Sequence, residues 1–238
     1  MKSYVFIPIL AASLAISFYI YSQLPEHIRA GGPLIAILIT LIILVTTFVV
    51  ERLIVLWRAG GRGDMAGFIR GMKKQVDAGN IPGAIEICKK QGGCLANVVG
   101  AGLERYNSLQ GSALEKDEVL EETKRAIEEA NALESPLLER NLIALSTIAS
   151  VATMIGLLGT TTGMIKSFSA MSNAGAPDAS KLALGISEAL WNTALGLFTG
   201  IVGIIMYNYF TNRVDSYNYS MDETTYEVMQ LLRHRKER

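Results

Sequence analysis

One carboxylate among the 238 residues stands where water is scarce. Glu188 lies six residues into an apolar stretch that opens at Leu182, with no basic residue within one helical turn; Lys181 is two turns back. A charged carboxylate near mid-bilayer costs on the order of 3 kcal/mol on insertion scales, so such groups face a cavity or a protein interior and carry a function. The chemistry open to this one is uptake and release of an ion, and the sequence does not separate H+ from Na+. On a helical wheel Asn192, Leu195 and Thr199 share its face, whereas Thr193 is displaced by about 140 degrees. Together with Thr160 in the preceding apolar stretch, Asn192 and Thr193 describe a hydroxyl- and carboxyl-lined interior suited to a hydrated ion path. The two threonine hydroxyls could equally bond the preceding turn of their own helices. Lys166, near the outer end of that preceding stretch, has a stem long enough to bring its ammonium to the interface. Glu51 and Arg52 close another apolar run, where an interfacial ion pair is expected.

Little else in the chain could do chemistry. His27 and His234 lie far apart, and Cys88 and Cys94 have no His or Cys cluster around them, which reads as plain thiols rather than a metal site. There is no glycine-rich phosphate loop of Walker type. The chain is therefore not expected to be an enzyme, and no cofactor or metal is expected. Its 22 Lys plus Arg balance 22 Asp plus Glu, which removes any general attraction to nucleic acid.

The elements that must position Glu188 follow from where those charges fall. Twenty-five of the 44 lie between Arg58 and Arg140 and ten follow Thr211, which leaves nine for everything else. Charge-poor stretches of about 18 residues or more are what a bilayer core selects. Four qualify: Tyr4 to Tyr21, Pro33 to Trp57, Asn141 to about Met171, and Leu182 to about Phe210. The first reads as a retained helix rather than a secretory signal, because no small-residue cleavage site follows it. Basic residues follow the second and fourth stretches, whereas Ser172 to Ser180 has none, so the positive-inside rule places the charged middle region and the C-terminus in the cytoplasm. The expected division is a membrane helix and short periplasmic loop over 1–32, a span over 33–57, a cytoplasmic helical domain over 58–140, a span over 141–171, a periplasmic loop over 172–180, a span with the glutamate over 181–211 and a cytoplasmic tail over 212–238.

The middle region predicts short helices over Met65–Ala78, Ala84–Lys90 and Cys94–Ser108, separated by a turn at 79–83 and a break at Gly92-Gly93. A longer helix from Leu114 places Val119, Thr123, Ala126, Ile127, Ala130 and Leu133 on one face and feeds the next span with at most a kink at Pro136. The fold class is thus all-α, a polytopic membrane protein whose long helices extend into a cytoplasmic helical domain. In the third span Ala149, Ala152, Gly156, Thr160, Gly163, Ser167 and Ala170 form a stripe of small residues, with Gly159 beside it. The fourth carries Gly185, Ala189, Thr193, Gly196, Gly200 and Gly203. Such faces let membrane helices approach closely, so these two pack on each other or on copies of themselves.

These residues resemble the MotA/TolQ/ExbB proton-channel family, and within it the ExbB/TolQ branch. Ile155-Gly-Leu-Leu-Gly-Thr-Thr-Thr-Gly-Met-Ile-Lys-Ser-Phe168 is similar to the family's glycine-threonine motif, and Leu184-Gly-Ile-Ser-Glu-Ala-Leu-Trp-Asn-Thr-Ala-Leu-Gly-Leu197 to its glutamate motif. Glu51-Arg52-Leu53 matches the end of the family's first span and Ile205-Met-Tyr-Asn208 the inner end of its last. By position, the resemblance implies that Glu188 is the intramembrane glutamate and that Thr160 and Thr193 are the pore threonines. It further implies a homo-oligomeric ring, typically of five subunits, in the bacterial inner membrane, around single-span helices of an ExbD- or TolR-like partner that bears a membrane aspartate. That assembly would drive a TonB- or TolA-like protein by the proton motive force. The Tyr4–Tyr21 segment is additional to the family's three-span layout, and Lys166 stands where an uncharged residue is usual. A MotA-like motility stator, a structural membrane scaffold without ion conduction and a solute transporter are the competing readings.

Overall fold

The computed structural model describes residues 3–29, 32–112, 114–173 and 179–234. Residues 174–178 of the expected periplasmic loop and residues 235–238 of the basic C-terminus lie outside them. Every regular element among the described residues is a helix: α1 (Ser3–Gln23), α2 (Glu26–Arg29), α3 (Pro33–Ala59), α4 (Met65–Asp77), α5 (Ile81–Gln91), α6 (Cys94–Leu109), α7 (Lys116–Glu139), α8 (Leu142–Asn173) and α9 (Ala179–His234). Three stretches of these residues are long and apolar enough to cross a membrane: Pro33–Ala59, Lys116–Ser169 and Leu182–His234. The fold is that of an all-α polytopic membrane protein.

The chain divides into two compact units. The first comprises Met1–Glu51 and Asn141–Tyr209. Here α1 packs on α3, with the buried Ser17 hydroxyl donating to Ala36 O at 2.5 Å. Pro33 opens α3 at a position where its missing N–H costs nothing. Large apolar side chains such as Leu157, Ile165, Leu190 and Phe198 point outward, while Ala149, Ala152 and Ala189 are buried. Small residues inside and large ones outside is how helices pack when the surroundings are themselves apolar.

The second unit comprises Arg52–Arg140 and Phe210–Arg238. Asp64 caps α4 by accepting from the N–H groups of Ala66 and Gly67, Asn80 caps α5 through Gly83 N, and Glu115 with Glu118 closes a capping box on α7. Between α5 and α6 the chain turns through Gly92 and Gly93, both at positive φ; a Cβ at Gly93 would lie 2.5 Å from Ala59 O. Only glycine fits there. Arg52 is buried with Nη1 donating to Leu138 O at 3.2 Å, and Tyr217 donates from its hydroxyl to Leu56 O at 3.0 Å.

Helix α7 runs through Pro136, and the helix is interrupted at Arg140–Asn141, where Asn141 takes φ 63°. The Asn141 amide donates to both Glu51 carboxylate oxygens, at 3.1 and 3.0 Å, and these bonds hold a conformation that asparagine tolerates better than most residues. One expectation is corrected: the buried face of α7 is Leu120, Thr123, Ile127 and Leu138, whereas Leu133 is exposed. The neighbouring helices decide which face is covered, with Gly102 of α6 against Ile127 and Asn218 of α9 beside Ser135, a choice that periodicity alone leaves open. Beyond Phe210 α9 continues to His234 and buries Phe210, Val214, Tyr217, Met221, Thr224, Val228 and Leu232 at steps of three and four.

Helices α6 and α7 meet where Gly102 leaves room for Ile127; a Cβ there would overlap Ile127 Cγ1. Gly102→Ala is expected to cost about 1–3 kcal/mol through overpacking. Gly71, inside α4 with open space around it, should gain about 0.5–1 kcal/mol on Gly71→Ala. Thermal unfolding of the two variants in detergent should therefore move in opposite directions.

Cys88 and Cys94 are buried in the same unit, and burial pushes their thiols up to about 12 and about 11. Their protonated state stabilises the fold fully below pH 9 and is lost as pH rises through those values, so melting temperature should fall above pH 9. At pH 8 the folded chain should alkylate at least ~100-fold more slowly than the unfolded chain, because only the thiolate reacts.

Candidate functional site: a paired carboxylate on a glycine-packed helix pair

Small residues bring α8 and α9 together. A Cβ at Gly156 would lie 3.0 Å from Gly196 Cα and 3.1 Å from Asn192 O; one at Gly196 would lie 2.7 Å from both Ala152 O and Gly156 Cα. One at Gly163 would lie 2.8 Å from Gly185 O and 3.0 Å from Ala189 Cβ, while one at Gly200 would overlap Thr153 Oγ1. The two stripes therefore pack on each other, antiparallel and nearly backbone to backbone, which settles one half of the alternative that the sequence posed. Main-chain contact at this range replaces bulk with dispersion along the whole seam.

The predicted polar residues take different places on this seam. Glu188 is buried, with a side chain 11% exposed. Asn192 is fully buried; its Cβ fills the space that Gly159 leaves, and its amide donates to Glu188 O at 3.0 Å. Thr193 crosses to the neighbouring helix, donating to Gly156 O at 3.2 Å. Thr160 does not cross: its hydroxyl returns to Leu157 O of its own helix at 2.6 Å. Thr199, on the Glu188 face, bonds Leu195 O at 2.7 Å. Ser167 is buried opposite Gly185, where a side chain on residue 185 would overlap its hydroxyl.

Lys166 is the residue that the sequence reading assigned differently. Its ammonium does not snorkel away but lies 2.6 Å from Glu188 Oε1. Desolvation explains the change: a buried carboxylate draws a cation within reach, and a lysine stem of four carbons spans the gap between α8 and α9. The backbone completes the enclosure. Gly32, at φ 72° just before α3, comes so close that a Cβ on it would stand 2.7 Å from Glu188 Oε1 and 3.8 Å from Lys166 Nζ. A signal for the pair existed in the two stripes, since the register that sets Gly163 against Gly185 and Ala189 also sets Lys166 beside the Glu188 turn.

Fold and site together define a class: a multi-pass helical membrane protein with one enclosed intramembrane carboxylate on a glycine-packed helix pair. The profile of the MotA/TolQ/ExbB proton channel family matches residues 93–223, more than half of the chain. The protein belongs to the MotA/TolQ/ExbB proton channel family. It is 28% identical over 173 residues to the biopolymer transport protein ExbB of Pseudomonas putida, an alignment covering 73% of this chain and 51% of that one. It is 36% identical over 114 residues to the Tol-Pal system protein TolQ of Pseudomonas aeruginosa, covering 48% and 49%. With the putative ExbB-like protein 3 of Synechocystis it shares 42% identity over 91 residues, 37% of this chain and 43% of that one. The matches thus span about half the length of these curated relatives.

Because the α8–α9 contacts are to backbone atoms that cannot step aside, Gly196→Val should cost about 3 kcal/mol. The outward-facing Ile205→Ala should cost much less. Melting of the detergent-solubilised chain reads both, and an unchanged Gly196→Val would show that the helices do not meet in this register.

Proposed function

We propose that the chain is an inner-membrane, ion-conducting subunit of the ExbB/TolQ kind, which together with an ExbD- or TolR-like partner converts the proton motive force into mechanical work across the cell envelope, as in TonB-dependent uptake. Glu188 is the carboxylate of the ion path, Asn192 and Thr193 its polar neighbours on α9, and Thr160, whose hydroxyl bonds Leu157 O, the pore threonine of α8. The middle region and the C-terminus are cytoplasmic. The working assembly is a homo-oligomeric ring of five, around partner helices whose membrane aspartate this chain lacks in its own spans. The observation that carries the reading is an enclosed carboxylate, 11% exposed, inside an apolar helix pair of a proton channel family.

The magnitudes are compatible with that role. A charge moved through 100 mV gains about 2.3 kcal/mol, close to the cost of one intramembrane carboxylate, so single protons can bias single steps. No bond is made or broken by the protein; its task is to hold and pass an ion. Glu188→Gln and Thr193→Val should each abolish force-dependent function while the complex still assembles, as read by co-purification of the partner. Full function in both variants would overturn the proposal.

The ion pair itself supports a second reading, in which Glu188 and Lys166 only tie α8 to α9 as part of a membrane scaffold. Replacing a buried pair by apolar residues of similar size is often neutral or stabilising. On that reading the double variant Glu188→Met with Lys166→Met keeps full function; on the ion-path reading it has none.

A further inference from the structure

Glu188 meets a different kind of group on each element around it. From α8 comes the Lys166 ammonium, at 2.6 Å from Oε1. From the start of α3 comes the Gly32 backbone, without a side chain. On α9 itself the polar neighbour is Asn192, whose amide donates to the Glu188 main-chain carbonyl. Among the described residues Lys166 is the charged side chain in contact with Glu188. An ammonium offers three donors and no acceptor.

We propose that Lys166 is the ion-specificity residue of this pathway: by occupying the Glu188 carboxylate it bars metal cations such as Na+ and leaves H+ as the ion that Glu188 exchanges. The proposal rests on the reading of Glu188 as the carboxylate of the ion path. A hard metal cation is held by several oxygen ligands at once. Beside Glu188 Oε1 the structure supplies a positive charge in the place of such oxygens, and a second cation would be repelled across a few ångströms. A proton needs one lone pair of a carboxylate that has about four. Its arrival converts the carboxylate to a neutral carboxylic acid and releases the ammonium, and its departure restores the pair, so each exchange moves one proton and nothing else. The asymmetry of exposure fits a cation that can leave and return: the Lys166 side chain is 58% exposed and that of Glu188 11%.

The test uses membranes containing the full chain and a hydrophobic carbodiimide. This reagent adds a protonated carboxyl across its C=N bond to give an O-acylisourea, which rearranges to a stable N-acylurea located by peptide mass. Labelling of Glu188 is followed from pH 5 to 9 in NaCl and in choline chloride of equal ionic strength. Wild type should label slowly at pH 7 and identically in the two salts. Lys166→Gln should label about tenfold faster or more in choline, its carboxyl no longer occupied by an ammonium, and should be slowed by Na+. Lys166→Arg should behave as wild type. Slowing of wild type by Na+, labelling of Lys166→Gln at the wild-type rate, or absence of a Na+ effect on Lys166→Gln each overturns the proposal. Persistence of force-dependent function in Glu188→Gln overturns the ion-path reading instead, and leaves the labelling pattern of the pair as it is.

Discussion

The structure around Glu188 depends on how closely α8 and α9 can approach. A carboxylate inside an apolar unit is tolerable only if its partner is fixed within hydrogen-bond range, and here that partner comes from the other helix. The separation of the two helices is set by glycine and alanine on both sides of the seam, where backbone meets backbone. A methyl group inserted at Gly156 or Gly196 changes the spacing that Lys166, Thr193 and Asn192 all use. The glycines of the seam thus act on the Glu188–Lys166 pair through the spacing they set. The hydrogen bond from Thr193 to Gly156 O, 3.2 Å long, belongs to the same seam and shows how a hydroxyl serves both packing and polarity there.

Much of this was legible in the sequence, and for identifiable reasons. Apolar length, the clustering of charge and the glycine spacing are one-dimensional signals, and they locate the long helices, the short ones between them and the enclosed carboxylate of Glu188. What a single helix cannot reveal is its neighbour. Lys166 was assigned to the interface because a lysine stem can reach it, whereas the α8–α9 register offers the ammonium a buried partner. Leu133 fits the helical period of α7 yet stays exposed, because the covered face is decided by α6 and α9. The sequence allows at most a kink at Pro136 and gives no signal for the break before α8. It occurs at Asn141, whose side chain finds both oxygens of Glu51, ninety residues away in sequence. Each miss is a tertiary contact overriding a local preference.

The same logic separates two uses of polar groups within the chain. Thr160 and Thr199 satisfy their hydroxyls within their own helices, which costs little and commits them to nothing. Glu188, Asn192 and Lys166 are committed, since each has its partner or its space defined by another part of the structure. Arg52, buried against Leu138 O in the second unit, is the counterpart there: a guanidinium held by main chain at the junction of helices. Charge is thus used sparingly and positioned by backbone in both units.

Gly32 gives this arrangement a further meaning. The wall it forms beside the carboxylate is main chain at φ 72°, a conformation that side-chain-bearing residues rarely adopt, so the wall has no adjustable part. On its other side Glu188 meets the end of a flexible side chain. The site therefore has one face that mutation can remove but not retune, and one face that a single codon can rewrite. Chemical change at this site is open at residue 166, whereas a side chain at residue 32 removes the wall rather than altering it.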